Sequence, residues 1–212
     1  MATGCSTNHT DTLLNEARIL DSLQKYKEAI ALYDKVLTLD SSHIDALFER
    51  AFDKGSIGDP EGEIRDLTKI LDLDSANTLA LFNLGIKYGN LLRYKESIKA
   101  FNKAIQTKGG ELLTFDYVAN PFVDKELYTY DVPIADIRLE RGIVHYKADS
   151  VRKAYFDFTF CIENKHELKD SYYYRGRAYL KSGMLKHACK DLKIAELYGE
   201  KEATEILDKF CR

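Results

Sequence analysis

Residues of the same kind return every 34 positions in this sequence, and that spacing limits the possible folds more than any other feature. Small residues stand at Ala17, Ala51 and Gly85, and again at Gly142 and Gly176. Larger apolar residues follow the same period at Tyr33, Leu67, Phe101, Phe158 and Leu192. A period of about 20 to 50 residues indicates stacked units, each of which buries its apolar face against its neighbours.

The repeat is interrupted once. Gly85 and Gly142 are 57 residues apart, which leaves 23 residues beyond one period. We therefore place an insertion at residues 112–134, between the third and fourth units. The predicted units are residues 10–43, 44–77, 78–111, 135–168 and 169–202. They are preceded by a flexible segment at 1–9 and followed by a capping helix at 203–212.

Each unit is predicted to contain two helices. In the third unit Leu81, Leu84, Gly85 and Tyr88 recur at the spacing of one helical face, and a second face follows at Ile98, Phe101, Ala104 and Ile105. The last residues are amphipathic, with Ile206, Leu207 and Phe210 placed to cover the final apolar face. A solenoid needs such a cap because its end unit has no neighbour on one side.

These positions resemble the tetratricopeptide repeat, whose pattern is W-x2-L-G-x2-Y followed by A-x3-F, A and P. The third unit matches best, through Leu84, Gly85, Tyr88, Ser97 and Phe101. Three features depart from the pattern: the Trp position holds other residues, the final Pro is missing, and Glu63 occupies a small position, which is expected to loosen the second unit. The resemblance implies an all-α, right-handed superhelical solenoid of five such helix pairs plus a C-terminal capping helix.

In the family the first helix of each unit lines a concave groove, which binds peptides or protein segments. Carried over to this sequence, the groove is apolar in its middle and has an arginine toward each end. Gly55 and Gly89 are expected to deepen it. The expected binding residues are Arg18, Phe48, Phe52, Phe82, Asn83, Ile86, Leu139, Ile143, Tyr146, Tyr173 and Arg177. Two alternatives remain open: the insertion covers the groove, or a second copy of the chain does.

Composition and missing motifs argue against several other functional classes of protein. The net charge is -3 and the basic residues form no block, which argues against nucleic acid as the partner. The sequence contains none of the HExxH, P-loop or GxSxG motifs. No apolar run approaches the ~20 residues that span a bilayer. We therefore expect no enzyme activity, no metal, no cofactor and no transmembrane segment.

The N-terminus offers a weak indication of compartment. Residues Ala2 to Ser6 resemble the end of a bacterial lipobox after removal of its signal, in which case Cys5 is a lipid anchor and the protein a cell-envelope lipoprotein. The alternative is a disordered N-terminus with a chance cysteine in a cytoplasmic protein. The four cysteines show no CxxC spacing, so a disulfide framework is not expected.

The leading functional hypothesis is a scaffold or adaptor that binds a peptide or protein segment in the apolar groove. The alternative is a surface-anchored structural or complex-assembly component that acts through its convex face or through residues 112–134. The sequence does not distinguish them, because function depends on the site and not on the fold.

Overall fold

The computed structural model describes residues 4–107 and 132–211, with side chains from His9 onward. Every regular element in these ranges is a helix, and consecutive helices pack against each other as pairs. The predicted all-α solenoid is therefore confirmed. The helices are α1 Gly4–Ser22, α2 Tyr26–Leu39, α3 Ile44–Ser56, α4 Pro60–Leu73, α5 Thr78–Asn90, α6 Tyr94–Thr107, α7 Ile134–Lys147, α8 Val151–Glu163, α9 Leu168–Lys181, α10 Leu185–Leu197 and α11 Lys201–Phe210.

Two predicted segments differ from the structure or lie outside it. Helix α1 begins at Gly4, inside the segment expected to be flexible. Extending an existing helix adds one hydrogen bond for each residue fixed, so polar residues without strong propensity can still continue it. Most of the predicted insertion lies outside the described residues. At its end, Val132 is buried in the core with Ile105 and Ile137.

The two helices of a pair approach most closely at the small residues. A Cβ atom added to Gly85 would lie 2.5 Å from the Phe101 ring, and one added to Gly142 would lie 2.7 Å from the Phe158 ring. Ala17 and Ala51 occupy the same position in the first two units, and both are buried. The small residue therefore lets a large side chain of the second helix lie directly on the backbone of the first.

The turn between paired helices also repeats. One residue in each turn adopts positive φ, and these residues keep the spacing of the sequence repeat. They are Gln24 (59°), Gly58 (80°), Leu92 (60°), Asp149 (59°) and Gly183 (72°). Only two are glycine, the residue that adopts this conformation without steric cost. The turn geometry is therefore imposed by the packed helices as well as by local sequence.

A repeated ion pair lies beside the close contact in three units, and we call it the Arg–Asp clamp. Arg50 donates two hydrogen bonds to Asp66 at 2.9 and 2.5 Å. Arg141 makes the same pair of bonds to Asp157 at 2.9 and 2.6 Å, and Arg175 makes them to Asp191 at 2.7 and 3.1 Å. The three aspartates are almost fully buried. Sequence analysis missed this clamp, although its residues also recur with the period of the repeat.

Each clamp arginine also bonds to the preceding unit. A terminal guanidinium nitrogen lies 2.6 Å from Asp34 for Arg50, and 2.7 Å from Asn102 for Arg141. Arg175 makes the equivalent contact to Thr159 at 3.2 Å. One side chain thus joins the two helices of its own unit and fixes the position of the unit before it.

The C-terminal helix covers the last apolar face, with Ala203 and Leu207 packed on Leu192 and Ala195. Cys189 of α10 and Cys211 beyond α11 form a disulfide, with Cα atoms 5.7 Å apart. The sequence analysis did not anticipate this bond, because residues 22 positions apart give no spacing signal until α11 folds back on α10. The remaining cysteine with a described side chain, Cys161, is buried and free.

We expect Asp191→Ala to lower the free energy of unfolding by about 3–5 kcal/mol, because it leaves the guanidinium of Arg175 without its carboxylate. Urea denaturation of the native chain and the variant measures the difference. Asp72→Ala is the matched control, since Asp72 is exposed, and it should change stability by less than about 0.5 kcal/mol. Equal effects of the two substitutions would contradict the structural role of the clamp.

We expect Cys211→Ala to destabilise the C-terminal cap by about 3 kcal/mol, because the disulfide closes a loop of this length. Hydrogen exchange at the amides of α11 should become faster, while exchange in α3 and α4 stays unchanged. Reduction of the native chain with dithiothreitol should reproduce the pattern. Unchanged exchange in α11 after both treatments would show that the disulfide does not hold the cap.

Candidate functional site

The predicted groove residues lie on the first helices of the pairs, α1, α3, α5, α7 and α9. Pairs four residues apart recur on successive helices, as in Phe48 and Phe52 on α3 or Phe82 and Ile86 on α5. Such pairs occupy one face of a helix. Because α5 packs on α7 and α7 on α9, these faces adjoin. We call the surface formed by these side chains the groove face.

The middle of the groove face is apolar and partly open. Phe52 is 65% exposed, whereas Phe48, Asn83, Ile86, Ile143 and Tyr146 are half-buried. Phe82 is also half-buried, and its ring packs edge-on against Phe101 at 5.9 Å. Leu139 differs from expectation. It is buried in the core with Phe158, so it supports the groove face from below and is not available to a partner.

The two glycines expected to deepen the groove instead make room for neighbouring helices. Gly55 accommodates the carboxylate of Glu63, which pairs with Lys87 of the next unit. A Cβ at Gly89 would lie 3.0 Å from Val144 of α7. Both positions therefore serve packing between units.

The N-terminal end of the groove face is acidic. Arg18 lies here, but its guanidinium bonds Glu49 at 2.7 Å and lies 3.8 Å from Asp45. The positive charge of Arg18, which the sequence analysis expected a partner to use, is therefore already balanced by these carboxylates. Further carboxylates lie beside the pair, at Asp21 and Asp53.

Asp53 is the most unusual of these carboxylates, because its side chain is completely buried. Neither of its oxygens has a hydrogen-bond partner among the described residues. Burial, the neighbouring Asp21 carboxyl and repulsion from Glu49 raise the pKa of Asp53 to about 7. The same environment raises the pKa of the buried Tyr33 hydroxyl, mainly through burial and the Glu49 charge. This end of the groove face consequently changes charge near neutral pH.

The C-terminal end is cationic and aromatic. The Arg177 guanidinium lies 5.0 Å from the centre of the Tyr146 ring and 5.2 Å from that of Tyr173, whose hydroxyl accepts a 3.2 Å hydrogen bond from it. Lys181 lies 4.4 Å from the centre of the same Tyr146 ring and also bonds Asp149 at 3.1 Å. Within the described ranges no carboxylate lies within 4.0 Å of Arg177. Stacking on rings orients the guanidinium without neutralising its charge.

The part of the chain that the structure describes contains no cluster of residues suited to hold a metal ion. None of its helices combines the length and the apolar character needed to cross a membrane. The side chain of Cys5, the predicted lipid anchor, lies outside the described side chains.

The fold is shared with several solved structures. The crystal structure of MamA aligns with a TM-score of 0.71 at 23% sequence identity, over 89% of this chain and 96% of MamA. YrrB, "a TPR protein with an unusual peptide-binding site", gives 0.71 at 18% identity over 93% of this chain and 90% of its own. PilF of Pseudomonas aeruginosa gives 0.67 at 16% identity, covering 92% and 79%. A comparison with curated proteins finds no match.

Helix pairs with this period, stacked into a solenoid with a partly apolar inner face, define a helical-repeat protein. Residues 10–43, which form most of α1 and all of α2, match the family model of the tetratricopeptide repeat. This match covers one repeat unit, and the chain as described shares its fold with solved structures that include YrrB, a TPR protein.

We expect Asp53→Asn to stabilise the protein at about pH 8 and to have little effect near pH 4. A carboxyl whose pKa is raised on folding loses stability as pH rises through the interval between its unfolded and folded values, here from about 4 to about 7. The amide carries no charge and avoids that loss. Urea denaturation across this interval measures the difference, and Asp72→Asn is the exposed control. A pH-independent difference would contradict the burial of a titrating carboxyl at Asp53.

Proposed function

We propose that this protein is a scaffold or adaptor that binds an extended segment of a partner protein along the groove face. The observation that carries the proposal is the exposed side chain of Phe52 on an apolar face. The same face continues along the first helices with half-buried Phe48, Phe82, Ile86 and Ile143. Clusters of exposed aromatic and aliphatic side chains are enriched at interaction surfaces compared with the rest of a protein surface. The described residues supply no other segment that covers Phe52.

Charge at the two ends suggests the chemistry of the partner. Arg177 would receive an acidic side chain of the bound segment, since Tyr146 and Tyr173 already orient the guanidinium. Lys181 would add less, because its ammonium already bonds Asp149 at 3.1 Å. Arg18 would contribute little to binding an acidic residue of the partner, because its guanidinium already pairs with Glu49. The proposed partner therefore carries apolar residues in its middle and an acid at the Arg177 end.

The fold offers a precedent for peptide binding. YrrB is described as having a peptide-binding site, and that property belongs to YrrB. It supports the proposal only by showing that a solenoid of this kind can present a surface to a peptide. The alternative is a structural component that acts through its convex face or through residues 112–134, most of which lie outside the described residues.

Selection of short peptides from a random displayed library, using the whole chain as bait, tests the proposal. We expect selected peptides to combine aromatic or aliphatic residues with an acid. Phe52→Ala should weaken a selected peptide by about 2 kcal/mol, about thirtyfold, because it removes a central apolar contact. Fluorescence anisotropy measures the affinity. Phe52 is preferred to Phe82 for this test, since a change at Phe82 also removes the contact with Phe101.

The control is Leu197→Ala on α10, where an equally apolar side chain is 85% exposed outside the groove face. It should leave affinity unchanged. Arg177→Ala should weaken acidic peptides about tenfold and neutral ones less. Peptides whose affinity survives both Phe52→Ala and Ile143→Ala would show that binding occurs elsewhere.

A further inference from the structure

An open-sided cavity of about 360 Å³ lies between α6, α7 and α8, at the junction of the third and fourth units. We propose that it binds a small organic oxyanion, a carboxylate, sulfonate or phosphate group attached to an apolar moiety. Its lining residues are Ile98, Asn102, Arg138, Arg141, His145, Lys153, Phe156 and Asp157. The inference is independent of the function proposed for the groove face.

The cavity is separate from the groove face, as helix geometry requires. Successive residues of an α-helix are rotated by about 100°. On α7 the cavity residues Arg138, Arg141 and His145 therefore point to the side of the helix opposite Leu139, Ile143 and Tyr146. A ligand in the cavity would contact the second helices of two units, α6 and α8, and would not reach the groove.

The side chain at the position of His145 differs in the other units that have an Arg–Asp clamp. In the second unit Lys54 takes the position of His145 and lies 2.7 Å from Asp66. In the fifth unit that position is Tyr179, whose ring packs against Tyr155 at 5.5 Å, while Arg175 lies over Tyr172. The fourth unit has neither arrangement. A shorter imidazole stands there, and it lines the cavity together with both residues of the clamp.

Charge in the cavity favours an anion. Three cationic side chains, Arg138, Arg141 and Lys153, line it together with one carboxylate, Asp157. Asp157 is 2.6 Å from Arg141 and 3.9 Å from Arg138. Lys153 is exposed on α8, and no carboxylate of the described residues lies within 4.0 Å of it.

His145 adds a titratable group to the wall of the cavity. Its side chain is only 5% exposed, and its Nδ1 has no hydrogen-bond partner among the described residues. An oxyanion in the cavity would accept a hydrogen bond from the Lys153 ammonium, and its negative charge would lie beside the imidazole of His145.

The rest of the wall is apolar, which defines the other part of the ligand. Ile98 lies half-buried on α6, and Phe156 is 55% exposed on α8. The volume exceeds what a bare oxyanion fills and falls within the range of about 300–1,000 Å³ seen for small-molecule sites. A ring or short aliphatic group attached to the anion would occupy the remaining space against Phe156.

Benzenesulfonate and methanesulfonate are suitable probes, because they share one head group and differ in the ring. Isothermal titration calorimetry with the whole chain should show saturable binding, tighter for benzenesulfonate. Lys153→Ala should weaken both about tenfold, as expected for loss of a charged hydrogen bond. Lys193→Ala on α10 removes the same charge from an exposed site elsewhere and should have no effect. Phe156→Ala should remove the advantage of the ring.

The pH dependence tests the role of His145. Burial lowers the pKa of His145, opposed by Asp157 and reinforced by Arg141 and Lys153. Arg138 of α7 also lines the cavity, and α6 adds only uncharged Ile98 and Asn102. A bound anion stabilises the protonated imidazole, so affinity should rise from about pH 7.5 to about pH 5.5. Both probes keep their charge across this interval.

His145→Tyr introduces the residue of the fifth unit and should fill the cavity and abolish binding without unfolding the chain, as circular dichroism would check. Binding that is absent at every pH, or weakened equally by Lys153→Ala and Lys193→Ala, would overturn the proposal. So would binding with no change in the ¹⁵N chemical shift of the His145 side chain.

Discussion

Close contact between the two helices of each pair is the constraint on which the rest of this structure depends. A small residue on the first helix receives a large side chain of the second, as Gly85 receives Phe101 and Gly142 receives Phe158. The Arg–Asp clamp lies one residue before this contact on both helices, so Arg141 reaches Asp157 only because the backbones are already close. The same arginine then bonds the preceding unit. Packing within a pair thereby determines how pairs stack.

The five helix pairs share one packing scheme, but they differ in the side chains at equivalent positions outside the close contact. The first helices give a surface that is acidic around Asp45 and Glu49, apolar around Phe52 and cationic at Arg177, although the residues occupy corresponding helix faces. On the opposite side, the position filled by Tyr179 in the fifth unit holds His145 in the fourth. One scaffold therefore presents two chemically distinct surfaces, because positions outside the packed contact are free to change.

Particular residues show where sequence reasoning succeeded and where it failed. The 34-residue period predicted the helix pairs correctly, since small and large apolar residues at that spacing can be buried only by stacking. It placed Leu139 on the groove face, but Leu139 packs in the core. It also offered Arg18 as a free cation, although Glu49 from the next unit bonds it. The first error concerns the second helix of the same unit and the second error a neighbouring unit, and a pattern within one helix contains the approach of neither.

The sequence alone determined the architecture, because helical periodicity and the size of residues at the close contact are local properties that repeat along the chain. Only the tertiary structure decided which charges are balanced, which carboxyl is buried and where space remains. Asp53, the Cys189–Cys211 bond and the cavity at His145 each arise where side chains distant in sequence meet. These contacts depend on distances of a few ångströms between helices, and the sequence repeat does not specify those distances.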